Sequence, residues 1–509
     1  MSSFVADSLP AARSQPTRRA LRGLSSLSTP KVIEYAFIAL FALAVLAYFV
    51  STAAIGRFQE TAAGVGAEAK PAVVLAEQLS VTLADMDAQI TESSLGNGLS
   101  WSHYISDIDS ALAAMKQANR TVRDDDVEAE PLRLVEARLR NYYQLIGGSS
   151  VTSPDIFVGN EQLARTTTLW ASRAMRQGIM AEAQNAAQLA TDKLVNAYTE
   201  FRRYTLLSTV QALAPLIALL VLLLAVQRFI TRRTRRLINV PLFLATLAVA
   251  GFVGWFSYVA ETGRTMILTA KEAAFDDLQA LYQAKVTAYL MKADESMWLF
   301  ELRKVRYEQR RLRASYARNF SDSARRLIDI AHVADFPGAM VETGAFTDPI
   351  DHAALDAARA SLSAAEKFRA AGNYEEAARA TPVIPGLLGD ELRRFGSGLS
   401  DRQPAYEAIS ALLRYLEIDR QIRTTALGES RDKAVQLSIG GDEGSGSWAF
   451  SQMDAALDRM ISTDNAAFDS RYGAATANFA TLMPLLAGVL AFTIGLSGWG
   501  MWLRYREYR

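Results

Sequence analysis

Four stretches of the chain contain no Asp, Glu, Lys or Arg and are dominated by apolar residues: 36–55, 206–227, 240–260 and 479–503. Each is close to the roughly 20 residues that a helix needs to cross a bilayer. Between them the apolar positions recur with helical spacing. Leu79, Leu83, Met86 and Ile90 follow at intervals of four, three and four, and Ala183, Ala186, Ala190, Leu194, Ala197 and Phe201 form a second stripe that enters the span at 206 without a Pro or Gly break. Residues 100–117 and 128–145 also read as helices, with the turn-prone Gly96-Asn97-Gly98 before the first and the charged linker 123–126 before the second. The interval 56–205 is therefore predicted to be a four-helix bundle whose outer helices continue into the spans.

The interval 261–478 repeats the design at greater length. A helix is predicted from 261 almost to 330, then shorter pieces at 353–371, 374–380, 390–394 and 403–437, and a closing helix at 451–479 that enters the fourth span. Alternation of the strand type is hard to find. Val81-Thr82 with Met86 and Ala88 is echoed by Val286-Thr287 with Met291 and Ala293 at a constant offset, which favours tandem duplication. The predicted fold class is an all-α membrane protein with four transmembrane helices and two extracytoplasmic helical bundles in tandem.

Charge supplies the orientation. Thirteen of the 54 basic residues lie in 1–35, 228–239 and 504–509, against only Asp7, Glu34 and Glu507 of the 54 acidic ones. Basic residues flanking spans are retained on the cytoplasmic side, so both termini and the Arg-rich turn 228–239 are expected inside the plasma (inner) membrane, and the two long intervals outside. The Ser-, Arg- and Pro-rich tail 1–35 is expected to be disordered. No cytoplasmic piece is long enough for a catalytic domain, which needs at least about 50 residues. A signal would have to leave through a partner.

The chain has no cysteine and only three histidines, His103, His332 and His352, far apart in sequence. Thiolate, disulfide and zinc-hydrolase chemistry are excluded on that ground, and no catalytic constellation, cofactor or metal site is expected. The loop Gly440–Gly446 lacks the Lys-Ser/Thr ending of a phosphate-binding loop and reads as a linker. Gly251, Gly254, Gly488, Gly495 and Gly498 in the spans suit close helix packing, within the chain or in a homodimer.

Two groups are candidate partner contacts. Arg232, Arg233, Arg235 and Arg236 in the central turn suit anionic lipid headgroups or an acidic protein, besides fixing topology. Asp85 and Asp87 on the first opening helix, and Asp294, Glu295 and Trp298 on the second, read either as a solvated helix face or as contacts for an amine or a partner protein. Nucleic-acid binding lacks an aromatic platform.

The stretches SVTLADMDAQITESSLGNG, ITRRTRRLINVPLFLATLAVAG, AYLMKADESMWLF, AGNYEEAA and the terminal GMWLRYREYR together resemble the bacterial four-span membrane proteins of the GlnX type. The resemblance implies a link between an extracytoplasmic amino-acid-binding lipoprotein, which is a solute-binding protein, and a cytoplasmic serine/threonine kinase. One departure is that Val240 separates Asn239 from Pro241. The expected function is a non-enzymatic signal relay. A structural or envelope-assembly scaffold is the alternative, and a transporter component is disfavoured by the absence of intramembrane charge.

Overall fold

A computed structural model describes residues 29–95, 111, 113, 129–150, 161–234, 239–271, 275–302, 307–328, 352–380, 386–389, 403–428 and 430–507. Among the described residues there is no strand. The helices are α1 (Thr29–Ala63), α2 (Lys70–Ser93), α3 (Ala129–Ser150), α4 (Glu161–Ala174), α5 (Met180–Thr234), α6 (Val240–Ala270), α7 (Asp276–Glu301), α8 (Tyr307–Leu327), α9 (His352–Ala370), α10 (Tyr374–Ala380), α11 (Gln403–Gly428), α12 (Arg431–Ile439), α13 (Gly446–Ala480) and α14 (Leu482–Glu507). π-helical turns at Gly64–Ala69 and Met175–Ile179 join α1 to α2 and α4 to α5 without a break in helical backbone.

Four helical runs are long and apolar enough to cross a membrane: Lys31–Ser93, Thr168–Arg232, Val240–Ala270 and Gly446–Arg506. They contain the four predicted spans, and the chain is a multi-pass membrane protein. The fold divides into two compact units. One comprises Met1–Ala62, Glu200–Thr265 and Ala474–Arg509, the other Ala63–Thr199 and Met266–Gly473.

In the first unit apolar side chains face both inward and outward, as a lipid-facing bundle requires. Leu40, Ala44, Leu216, Leu219, Leu223, Val249 and Leu486 are buried, whereas Phe49, Val210, Leu247 and Trp499 are exposed. Phe58 packs on Phe201 and Phe479 at ring distances of 5.3 and 4.1 Å. Ser51 Oγ donates to the Ala212 carbonyl at 2.8 Å, joining α1 to α5. Of the glycines expected to mediate close packing, Gly498 lies against Phe37, but Gly251, Gly254, Gly488 and Gly495 face open space. Small size alone does not bring a partner helix to a given face. Gly263, which the sequence did not single out, has no room for a Cβ beside the Phe479 ring.

In the second unit the helices of the two predicted bundles, 56–205 and 261–478, share their core. One hydrophobic core draws Leu79, Leu83 and Met86 from α2, Leu139 and Tyr142 from α3, Leu281, Met291 and Leu299 from α7, and Phe320, Leu412 and Met453 from later helices. The reason lies in α7, whose residues from Leu281 to Glu301 are buried on nearly every face. Such a helix needs neighbours all round, and α2 lies along one side of it, with Ala84, Ala88, Ala284 and Ala288 all buried. Each fully buried Leu in this core contributes roughly 1.5–3 kcal/mol.

The predicted 261–330 helix is corrected in its later part: α7 stops at Glu301, and α8 packs back on α7. Burial on all sides of α7 requires this return, and no Gly or Pro at 301–307 announces it. The predicted 403–437 helix divides into α11 and α12. The pair α9–α10 is as expected from the sequence: Gly372 takes φ +78°, Asn373 N donates to the Phe368 carbonyl and Gly372 N to the Arg369 carbonyl, both at 2.9 Å. That is the double hydrogen bond of a Schellman C-cap, and it explains the glycine. The Gly440–Gly446 loop is a tight turn and no loose linker. Ser445 Oγ donates to the Asp442 carbonyl at 2.7 Å and accepts from Trp448 N at 3.4 Å in the first turn of α13. The expected helix at 100–117 (Ala111 and residue 113 apart), the linker 123–126 and the piece at 390–394 lie outside the described residues.

Candidate functional site: a buried charge clasp

The side-by-side packing of α2 and α7 places Asp87 and Asp294 on either side of one cation. Arg176 Nε donates to Asp87 Oδ2 at 2.5 Å and Arg176 Nη1 to Asp294 Oδ1 at 2.6 Å. Both carboxylates are buried, while the arginine keeps about a fifth of its side chain accessible (21%). Arg176 sits in the π-helical turn Met175–Ile179, and π-turns inside α-helices occur frequently at functional positions. In the same turn the Gly178 carbonyl accepts a hydrogen bond from Arg138 Nη1 at 2.8 Å. Among the described residues, Asp87 Oδ1 and Arg176 Nη2 are buried without a hydrogen-bond partner. The clasp is therefore incompletely satisfied, which marks it as costly to build and sensitive to change.

Burial opposes the charge on Arg176, but Asp87 and Asp294 together outweigh it and hold the guanidinium cationic. For Asp294, burial is the larger influence. It raises the carboxyl to about 6, against the lowering effect of Arg176.

Further ion pairs tie the same segments together. Lys292 contacts Glu92 at 3.1 Å and lies over the Phe450 ring. Lys285 bridges Asp454 and Asp458 at 3.0 and 2.5 Å, and Lys70 reaches Asp469 at 2.6 Å.

A second buried cluster follows Asp294 in sequence. Glu295 accepts hydrogen bonds from Tyr415 Oη at 2.5 Å and Ser438 Oγ at 2.6 Å. Arg423 Nε donates to Asp419 Oδ2 at 2.7 Å, and its guanidinium lies 4.7 Å from both the Trp298 and the Phe320 ring centres. Burial, reinforced by the Asp419 charge, pushes Glu295 above the usual carboxylate range. Burial also raises Asp454, against Lys285.

These shifts give a pH prediction. Asp294, Glu295 and Asp454 bind protons more tightly folded than unfolded, so between about pH 4.5 and 7 the native state holds more protons and stability falls as pH rises. The raised Lys285 acts only near its ordinary value of 10.5 and above. The melting temperature of the full chain in detergent should be lower at pH 8 than at pH 5.5. A melting temperature that climbs across that interval would contradict the assignment.

The predicted candidates divide as follows. Asp87, Asp294, Glu295 and Trp298 are buried, so the solvated-face expectation is corrected for them: α7 is buried on nearly every face, Asp87 and Asp294 pair with Arg176, and Glu295 accepts from Tyr415 and Ser438. None of the four is presented at the surface for a partner. Asp85 is half-buried and near Tyr289. Arg232 is exposed near the end of α5; Arg233 lies in the same helix, while Arg235 and Arg236 lie outside the described residues.

Arg176, Asp419 and Arg423 were not singled out from sequence. For Arg176 a signal existed. The buried positions Ala171, Met175, Ile179 and Ala183 follow at three successive steps of four. Each such step overshoots a full α-turn by about 40°, so a stripe holding that spacing implies local underwinding of the helix.

Comparison with known proteins reaches part of this unit. No curated protein and no solved structure matches the chain. Residues 61–199 match the family model described as an actinobacterial sensor domain, a segment that includes Asp87 and Arg176, and the match supports a bacterial sensor protein with a signal-sensing role.

Proposed function

We propose that the protein is a non-enzymatic membrane sensor and adaptor. It relays an extracytoplasmic signal, amino-acid availability read through a solute-binding protein, to a cytoplasmic partner such as a serine/threonine kinase. The observation that carries this reading is helix continuity: the sensor-matched residues end at 199 inside α5, which runs unbroken from Met180 to Thr234 through an apolar span to the Arg-rich turn. The excess of basic residues beside the spans supports cytoplasmic termini in the plasma membrane. The resemblance to GlnX-type proteins supports the identity of the two partners.

In this mechanism a bound signal favours one of two packings of the α2–α7 pair. Shifts of roughly 1–2 Å in a helix suffice for such coupling, provided that the signal has different affinity for the two states. The Asp87–Arg176–Asp294 clasp is suited to hold one packing, because a buried charge cluster tolerates few arrangements.

Photo-reactive residues at Arg232 and at Trp170, which is 45% exposed in the sensor-matched segment, test the reading in native membranes. Mass spectrometry should recover a kinase or other regulator from the first position and a solute-binding protein from the second. Recovery of lipids and envelope structural proteins alone would overturn it in favour of a scaffold.

A further inference from the structure

A cavity of 890 Å³ with mixed polar and apolar walls opens within the second unit, between α2, α5, α7 and α8. Four carboxamides line it, Gln184 and Gln188 from α5 and Gln279 and Gln283 from α7. Glu77 of α2 also lines it and is more than nine-tenths buried, with 6% of its surface accessible. Among the described residues the Glu77 carboxylate has no hydrogen bond and no ion pair. This contrasts with the buried Lys70 and Lys285 and the half-buried Lys292 and Arg176, whose charges are all met by carboxylates. A buried carboxyl without a partner is costly unless something completes it. Here it faces a space large enough for a solute and walled by groups that both donate and accept hydrogen bonds.

We propose that this cavity is a direct binding site for a small solute carrying a primary ammonium group, with Glu77 receiving the ammonium and the glutamines orienting the rest. The site deepens the sensor reading and rests on it only for its physiological meaning. It gives the second unit a small-molecule input independent of any solute-binding protein. The ammonium belongs either to an amine or to an amino acid. In the second case Arg326, exposed on α8 at the same cavity, is the cation proposed to take the carboxylate.

Burial raises the Glu77 carboxyl to about 7. The titratable groups that share its surroundings are Tyr282 on α7, Asp192 on α5 and Arg325 and Arg326 on α8. Burial raises Tyr282 from its ordinary 10.0, so it stays neutral below that. Between pH 6 and 8, Glu77 is therefore the group whose charge changes at the α2 wall of the cavity. An ammonium binds the ionised carboxylate, so affinity should rise about tenfold from pH 6 to pH 8, while the ligand amine, with a pKa of about 10, stays charged throughout.

The test is calorimetric titration of the full chain in lipid nanodiscs with putrescine and, separately, alanine, using 1,4-butanediol as the uncharged control. Saturable binding of either ammonium probe is expected, about tenfold weaker at pH 6 than at pH 8, at least tenfold weaker in Glu77→Gln, and absent for the diol. Because Glu77→Gln is nearly isosteric, its melting curve serves as the folding control. Should that variant melt early, the pH ratio in the unaltered protein decides alone. No heat from either ammonium probe, equal binding of the diol, or pH-independent affinity would overturn the site. None of these outcomes touches the relay, which is read by crosslinking at Arg232.

Discussion

Arg176→Met should be among the most damaging single substitutions in the second unit. The change keeps the apolar stem and removes the cation, leaving Asp87 and Asp294 buried beside each other with no counter-charge. Breaking a buried ion pair from one side typically costs about 3–5 kcal/mol. Adding Asp87→Asn and Asp294→Asn to Arg176→Met should restore most of that loss, because neutral amides tolerate the site far better than two carboxylates. Denaturant or thermal unfolding of the full chain in detergent measures both. Equal stability of Arg176→Met and the unaltered protein would show that the clasp holds nothing together. A triple variant no more stable than the single one would locate the loss in packing instead of charge.

The second large effect concerns Arg423. Its side chain is almost completely buried, paired with Asp419 and held between the Trp298 and Phe320 rings. Arg423→Met leaves Asp419 and Glu295 as neighbouring buried carboxyls that repel, and the expected cost is again about 3–5 kcal/mol, including roughly 1–2 kcal/mol from the lost cation–ring contacts. The sign of the pH dependence separates this from a packing defect. Protonating a carboxyl removes the repulsion, so the deficit should shrink between pH 8 and pH 5. A deficit that is constant across that range would mean that lost volume, and not stranded charge, causes it.

The parts of the structure that could be read from sequence are those set by local rules. The four spans follow from uncharged apolar length, the α9–α10 turn from Gly372, and the stripes on α2 and α5 from their spacing. What escaped depends on tertiary neighbours. The pattern MKADESMW on α7 looks half-polar, and a solvated face is the ordinary reading of such a run. It is buried because α2, α8, α11 and α12 surround it, because Arg176 from a distant segment pairs with Asp294, and because Tyr415 and Ser438 donate hydrogen bonds to Glu295. For Asp87 and Asp294 the solvated-face reading fails because both are buried. The reach from 87 to 176 to 294 has no sequence signature, since contacts over that separation are fixed by packing alone. The return of α8 onto α7 was hidden for the related reason that a return forced by burial needs no Gly or Pro.

The central claim is that the outer signal travels along unbroken helix from the sensor-matched residues into the span and on to the Arg-rich turn. Inserting one alanine after Thr199 keeps the helix but rotates everything beyond it by about 100° and advances it by about 1.5 Å. The most direct measurement is the yield of the inner partner crosslinked at Arg232, with and without amino acids in the medium, in the unaltered protein and in the insertion variant. The relay predicts a yield that changes with the medium in the unaltered protein and is fixed in the variant, with both present in the membrane at equal amounts. A yield that responds equally in both would contradict it.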